Sequence, residues 1–248
     1  MAKHTRPTDI SRRQYAALAR SPLHSLAFVL PLLVFFHVSF TLTRPGADGT
    51  PLVIRHMELV FQRLGGVMSF LPALAVVVVL VMQHLAHKDR LAIYPGVLGC
   101  MVIESLLWML PMIAMLHLAG LLYVSGMLSA QTGMPNTVFG RILVGVGASI
   151  YEEFIFRLVL IGLILLALVD VLSLPKNVVT VIAVLLTAVA FSLYHPNVLA
   201  EDSFPWWLFL FYAVTGAYLG ALFLLRGFAI VVGAHCLFNI YKALMWFG

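Results

Sequence analysis

Apolar residues run along this chain in long blocks separated by short polar stretches. A helix needs about 20 apolar residues to cross the hydrocarbon core of a bilayer. Windows of that length predict seven spans, over 23–42, 65–85, 97–123, 142–169, 178–194, 206–225 and 228–247. Pro111 lies in the middle of the third, which leaves open one kinked helix or a helix with a re-entrant piece, so the count runs from six to eight. The short alternating segments of a membrane barrel are missing. The expected fold class is all-α, a polytopic transmembrane helical bundle.

Composition agrees. Of 248 residues, 62% are hydrophobic and 10% charged, where a soluble domain carries roughly a quarter charged. A water-soluble enzyme, a disordered chain and a collagen-like fibre are excluded. Two cysteines cannot build a disulfide framework or a four-cysteine zinc site, and Cys100 and Cys236 read as apolar-face residues. In so apolar a chain the net charge of +5 reports loops anchored on the cytoplasmic side rather than nucleic-acid binding. With seven spans, the side of the N-terminal arm holds Lys3, Arg6, Arg12, Arg13, Arg20, Lys88, Arg90, Lys176 and Arg226. The other side holds Arg44, Arg55, Arg63, Arg141 and Lys242. That bias predicts a cytoplasmic N-terminus and an uncleaved first helix in a multi-pass protein of the plasma membrane. The expected organisation is a basic arm over 1–22, N-terminal transmembrane helices over 23–137 and a catalytic core over 138–248. The polar connection 43–63 is too short for a further domain.

The informative residues are those a membrane should reject. Seven acids, Asp9, Asp48, Glu58, Asp89, Asp170, Glu201 and Asp202, fall in loops or at span ends, while Glu104, Glu152 and Glu153 fall inside spans. A charge at a helix centre costs on the order of 2.5 to 3.5 kcal/mol on insertion scales, so such residues call for partners. Glu153 and Arg157, four apart, share a helix face and can pair. Glu152 points about 100 degrees away from Glu153 and, five residues from Arg157, is unpaired along its own helix. It is therefore the carboxylate suited to act as a general base. The competing reading is a static polar clamp between helices.

Histidines add to the set. His4, His24, His56, His84 and His87 fall in loops or at membrane edges, and His37 and His117 towards span ends. His195 closes the fifth span. His235 and Asn239, four apart in the seventh, place an imidazole and a carboxamide on one face.

Taken in order, Glu152-Glu153-x-x-x-Arg157, Phe191-x-x-x-His195 and His235-x-x-x-Asn239 lie on separate late hydrophobic segments. In this the chain resembles the CPBP family, the type II CAAX prenyl endopeptidases and bacteriocin-processing enzymes, from about Arg141 to the C-terminus. The resemblance implies an intramembrane, metal-independent glutamic endopeptidase in which Glu152 and His195 activate a water. It implies that His235 and Asn239 stabilise the oxyanion. Water attack needs no serine or cysteine nucleophile and no cofactor. Glu153, Arg157 and Phe191 are then supporting residues.

Rival chemistries leave weaker traces. There is no His-Glu-x-x-His zinc motif and no Gly-x-Gly-Asp, and Ser125-Gly126 has Tyr123 where a rhomboid motif expects glycine. No metal site is expected, although zinc held by Glu152, His195 and His235 stays open. Glu104 either faces the same cavity as a supporting residue or bridges to a basic residue of another helix. Gly216-x-x-x-Gly220 and Gly145-x-x-x-Ser149 read as helix-packing patterns, and Trp206, Trp207 and Trp246 as interfacial anchors. The expected partners are a peptide or protein substrate at the membrane and the lipid bilayer, with no nucleic acid. The alternatives are a non-proteolytic bacteriocin-immunity or scaffold protein on the same fold, and an ion or proton transporter.

Overall fold

The computed structural model describes residues 11–43, 51–63, 70–87, 91–122, 137–195, 198 and 204–245. Among them there is no strand, and nine helices form a polytopic bundle. They are α1 (Arg12–Arg20), α2 (Pro22–Thr43), α3 (Leu52–Arg63), α4 (Leu71–His87), α5 (Pro95–Leu122), α6 (Val138–Val171), α7 (Lys176–Tyr194), α8 (Trp206–Arg226) and α9 (Phe228–Met245). Six of these, α2 and α5 to α9, are long and apolar enough to cross a membrane. The second predicted span, 65–85, is α4, an apolar helix of 17 residues. Of the residues singled out above, Lys3, His4, Arg6, Asp9, Arg44, Asp48, Lys88, Asp89, Arg90, Tyr123, Ser125, Gly126, Glu201, Asp202 and Trp246 lie outside the described residues.

Local sequence explains the helix starts. Ser11 caps α1 by accepting from the Gln14 amide while the Gln14 side chain accepts from the Ser11 amide, a reciprocal box. Pro22 and Pro95 open α2 and α5, where the missing N–H carries no penalty. Pro111 does not break α5, so the third span is one continuous helix and not a helix with a re-entrant piece.

Two helices were not foreseen. The stretch 43–63, expected as a polar connection, contains α3, which buries Val53, Ile54 and Met57 against α2, α4 and α6. The arm contains α1, whose Arg12, Arg13 and Arg20 are exposed while Ala19 is buried.

The helix α6 is α-helical over Val138–Glu153 and π-helical over Phe154–Ile161, with a further α turn at Gly162–Leu165 and a second π stretch at Leu166–Val171. The first π stretch begins directly after Glu152 and Glu153. Such stretches are rare and often mark functional sites.

At the centre stands α9, whose span is 67% buried against 17 to 33% for the other five. One apolar cluster, with Phe36, Val76, Ile150 and Tyr151, joins α2, α3, α4 and α6 to one side of α9. A second, with Met101, Phe156, Phe191 and Leu219, joins α1, α5, α7 and α8 to the other. Outward faces carry exposed Leu, Val, Ile and Phe, the surface a lipid solvent favours.

Small residues set the closest approaches. A methyl group on Gly216 would stand 3.1 Å from the Ala188 backbone and from the Phe191 ring, so α8 rests directly on α7. On Gly145 it would stand 2.9 Å from Asn239 Cβ, which fixes the distance from α6 to α9. Gly227 joins α8 to α9 at φ 90°, a conformation that favours glycine.

Candidate active site

The three motif segments converge where α6, α7 and α9 meet. Glu153 is fully buried, at 0% side-chain exposure, and its carboxylate lies 3.2 Å from Arg157 Nε, as their spacing predicts. Arg157 is equally enclosed. Its Nη2 donates to the Gly216 carbonyl of α8 (3.2 Å), and its guanidinium lies 4.4 Å from the centre of the Phe191 ring. Two buried charges survive in lipid because each has the other and the cation also has an aromatic face and a carbonyl.

On the other side of Glu153 stands His235. Its Nδ1–H donates to Glu153 Oε1 at 2.7 Å, since a carboxylate can only accept. That bond turns Nε2 towards Glu152, whose carboxylate lies 4.0 Å away. Glu152 keeps 13% side-chain exposure against 0% for Glu153, so one of the adjacent glutamates is sealed and paired and the other only partly enclosed.

His195 ends α7. Its Nδ1–H donates to the Phe191 carbonyl at 2.8 Å, which leaves Nε2 with its lone pair in the neutral ring. The imidazole is held between the Tyr212 ring, stacked at 3.6 Å, and the Phe191 ring, edge-on at 4.7 Å. Phe191 is also 6.3 Å from His235 and touches Arg157, so one ring spaces both histidines and the guanidinium.

Asn239 is placed differently from the expectation of a free oxyanion donor. Its Nδ2 donates to the Gly145 carbonyl (3.2 Å) and to Ser149 Oγ (2.8 Å), which accounts for both amide hydrogens. Ser149 in turn donates to the same Gly145 carbonyl at 2.7 Å. The small-residue pattern 145–149 is thus the seat of Asn239 as well as a packing surface.

Glu104 lies elsewhere. It forms an ion pair with Arg226 and accepts from Tyr15 Oη (2.6 Å) and Trp108 Nε1 (3.0 Å). Arg226 is fourteen residues along α8 from Tyr212, about 21 Å of helix. Glu104 therefore ties α5 to α1 and α8 on the side of the N-terminal arm. Burial, reinforced by the carboxylate beside it, pushes the Tyr15 hydroxyl pKa up, so this hydroxyl stays a donor.

Several residues at the site escaped sequence reasoning. Tyr151, beside Glu152, shares a 2.6 Å hydrogen bond with His37 of α2, and Tyr194, beside His195, shares one of 2.8 Å with His56 of α3. Each late tyrosine is thus fastened by a histidine of the N-terminal half. Nothing local signals such pairs; the only trace is that a tyrosine precedes both Glu152 and His195. Tyr212 left no trace at all.

Zinc at Glu152, His195 and His235 would require the three to converge on one point. Among the described residues no group of three His, Cys, Asp or Glu side chains is placed to hold a metal ion.

Residues 134–241 match the family model of the Rce1-like type II CAAX prenyl endopeptidases. No curated protein matches the chain, and no solved structure does. The matched stretch holds Glu152, Glu153, Arg157, Phe191, His195, His235 and Asn239, the residues that meet at this site. Over residues 134–241, somewhat under half of its length, this multi-pass membrane protein is thus similar to the Rce1-like type II CAAX prenyl endopeptidases, which is consistent with the CPBP family that its three motifs resemble.

Proposed function

We propose that the protein is an intramembrane endopeptidase that hydrolyses a peptide bond of a membrane-associated or exported substrate by direct attack of water. The reading rests on the unequal environment of the adjacent glutamates. Glu153 is occupied by Arg157 and His235, while Glu152 has no ion pair shorter than 4.0 Å among the described residues and keeps some exposure. A carboxylate that keeps some exposure, together with a histidine that has a free lone pair, supplies the groups that deprotonation of a water requires. Glu152 and His195 take the roles of base and water-orienting group.

As water adds to the scissile carbonyl, negative charge forms on its oxygen and must meet fixed donors. His235 Nε2 is the nearest imidazole nitrogen to Glu152; with Nδ1–H given to Glu153 it bears a hydrogen only when the ring is doubly protonated, and in that form His235 takes the first part in that role. Asn239 must release Ser149 or the Gly145 carbonyl to offer an N–H, and in the arrangement described it holds α9 at the correct height on α6. The proton taken by the Glu152–His195 pair then passes to the leaving amine, which completes hydrolysis without a covalent enzyme intermediate. Arg157 and Phe191 keep Glu153 and the two histidines in place.

The excess of basic residues on the side of α1 supports a cytoplasmic N-terminus in the plasma membrane, with the His195 end of the site towards the opposite face. The test is cleavage of a peptide library by the protein in proteoliposomes, compared with Glu152→Ala and His195→Ala. Both variants are expected to lose cleavage by at least about 10²-fold. Undiminished cleavage by both, or charge movement without cleavage in the parent protein, would overturn the reading.

A further inference from the structure

Hydrolysis needs a fixed N–H or O–H aimed at the carbonyl oxygen that turns negative, and the two groups assigned to that task are engaged elsewhere. Asn239 gives both amide hydrogens to Gly145 and Ser149, and His235 gives its Nδ1–H to Glu153. One hydroxyl at the site is not engaged. Tyr212 of α8, partly buried, lies flat on His195 with ring centres 3.6 Å apart and planes 19° from parallel. A tyrosine hydroxyl set inside a protein usually finds a partner. In the other helices those of Tyr15, Tyr151, Tyr194, Tyr218 and Tyr241 meet Glu104, His37, His56, the Trp108 carbonyl and His117. The Tyr212 hydroxyl has no hydrogen-bond partner among the described residues.

The ring is held firmly where it stands. Four residues further along the same face of α8, Gly216 seats that helix on Ala188 and Phe191 of α7. Three residues before Tyr212, the Phe209 carbonyl accepts from Ser192 Oγ of α7 at 2.7 Å. Ties on either side of Tyr212 thus fix α8 to the helix that ends in His195. Glu152 of α6 is near enough for its charge to act on the same tyrosine. A uncommitted donor on α8 therefore stands beside both groups that handle the water, and a phenol, which ordinarily loses its proton only near about pH 10, keeps its hydrogen at neutral pH.

We infer that Tyr212 is a further catalytic residue, whose hydroxyl donates a hydrogen bond to the scissile carbonyl oxygen as water adds and that oxygen becomes negative. The inference rests on the endopeptidase reading above and supplies it with a donor that need not be released from another bond. The phenol keeps its proton throughout; the bond strengthens as charge builds on the acceptor, which is why it favours the adduct over the substrate. The rival role is that of the ring alone, a flat wall that orients His195, and it predicts no effect of the hydroxyl.

The experiment compares the parent protein with Tyr212→Phe, which keeps the ring and loses only the hydroxyl, and with Tyr212→Leu, which loses both. KM and kcat are measured in proteoliposomes on a library peptide that the parent cuts. Inhibition is measured with the same peptide carrying a phosphinate in place of the cut amide, a tetrahedral anion shaped like the adduct. Y212F is expected to lose kcat by about 10²-fold with KM and melting temperature unchanged, and to bind the phosphinate more weakly by a comparable factor. Y212L is expected to lose at least as much. A kcat for Y212F equal to that of the parent overturns the inference, and if Y212L alone is impaired the ring is a positioning group for His195 and the endopeptidase reading stands. A raised KM with kcat unchanged places the hydroxyl on the bound substrate instead of the adduct, and a lowered kcat with undiminished phosphinate binding makes it act through His195; either result overturns the inference. A lowered melting temperature for Y212F reveals a partner within the protein and overturns it as well. If the parent cuts no library peptide, the endopeptidase reading itself falls, and this role with it.

Discussion

Glu153 and Arg157 illustrate what a sequence reveals at the level of single residues. Their spacing alone predicted a pair, because both partners lie on one helix and 3.6 residues per turn decides the matter. The same arithmetic separated Glu152 from them. For Asn239 the arithmetic gave the correct face and left the hydrogen bonds open, because its partners Gly145 and Ser149 belong to another helix about ninety residues earlier. The buried pair makes a definite prediction. Arg157→Ala leaves Glu153 an uncompensated buried charge and should destabilise the protein by about 3 to 5 kcal/mol, seen as a lowered melting temperature in detergent. Joint replacement by Glu153→Leu and Arg157→Met should recover most of that loss. A double variant as unstable as R157A would show that the ion pair is not the source of the effect.

Among the helices, the long apolar runs located the spans because a bilayer imposes one length and one polarity on each of them. The helices missed, α1 and α3, escape that rule. α1 carries a legible start signal, Ser11 followed by Gln14, but its body is polar and basic. α3 bunches Val53, Ile54 and Met57 in a stretch otherwise interrupted by Arg55, His56 and Glu58, so no apolar window of spanning length reveals it. Helix contacts follow from small residues, and Gly216 is the most exposed to test. Gly216→Val should push α8 away from Ala188, displace Phe191 and cost about 1 to 3 kcal/mol of stability, with cleavage reduced alongside. A variant with unchanged melting temperature would contradict the contact between α7 and α8. A milder change, Tyr151→Phe, removes only the bond to His37 and should cost about 1 kcal/mol, read by the same melt.

Seen whole, the molecule is two apolar clusters joined by α9, with the motif residues on the seam between them. The N-terminal half lies outside the family match, yet its His37 and His56 fasten the tyrosines beside Glu152 and His195. The short helix α4 decides the topology. Its 17 residues rise about 25 Å, a little under the roughly 30 Å hydrocarbon core, a mismatch that local thinning of the bilayer accommodates. If α4 crosses with the six long helices, the two ends of the chain lie on opposite faces. In a protein lacking Cys100 and Cys236, single cysteines at Ser11 and Met245 should then react with a membrane-impermeant maleimide from opposite sides. Reaction from one side would remove α4 from the spans.

The central claim is a division of labour between adjacent glutamates, and a paired comparison of Glu152→Gln with Glu153→Gln tests it most directly. Each variant keeps the shape of the side chain and loses the charge. The measurement is the cleavage rate in proteoliposomes together with the melting temperature of the same preparation. E152Q is expected to lose cleavage by at least about 10²-fold with its melting temperature held, and E153Q to lose melting temperature because Arg157 is left buried without its partner. Cleavage by E152Q at the parent rate would contradict the account.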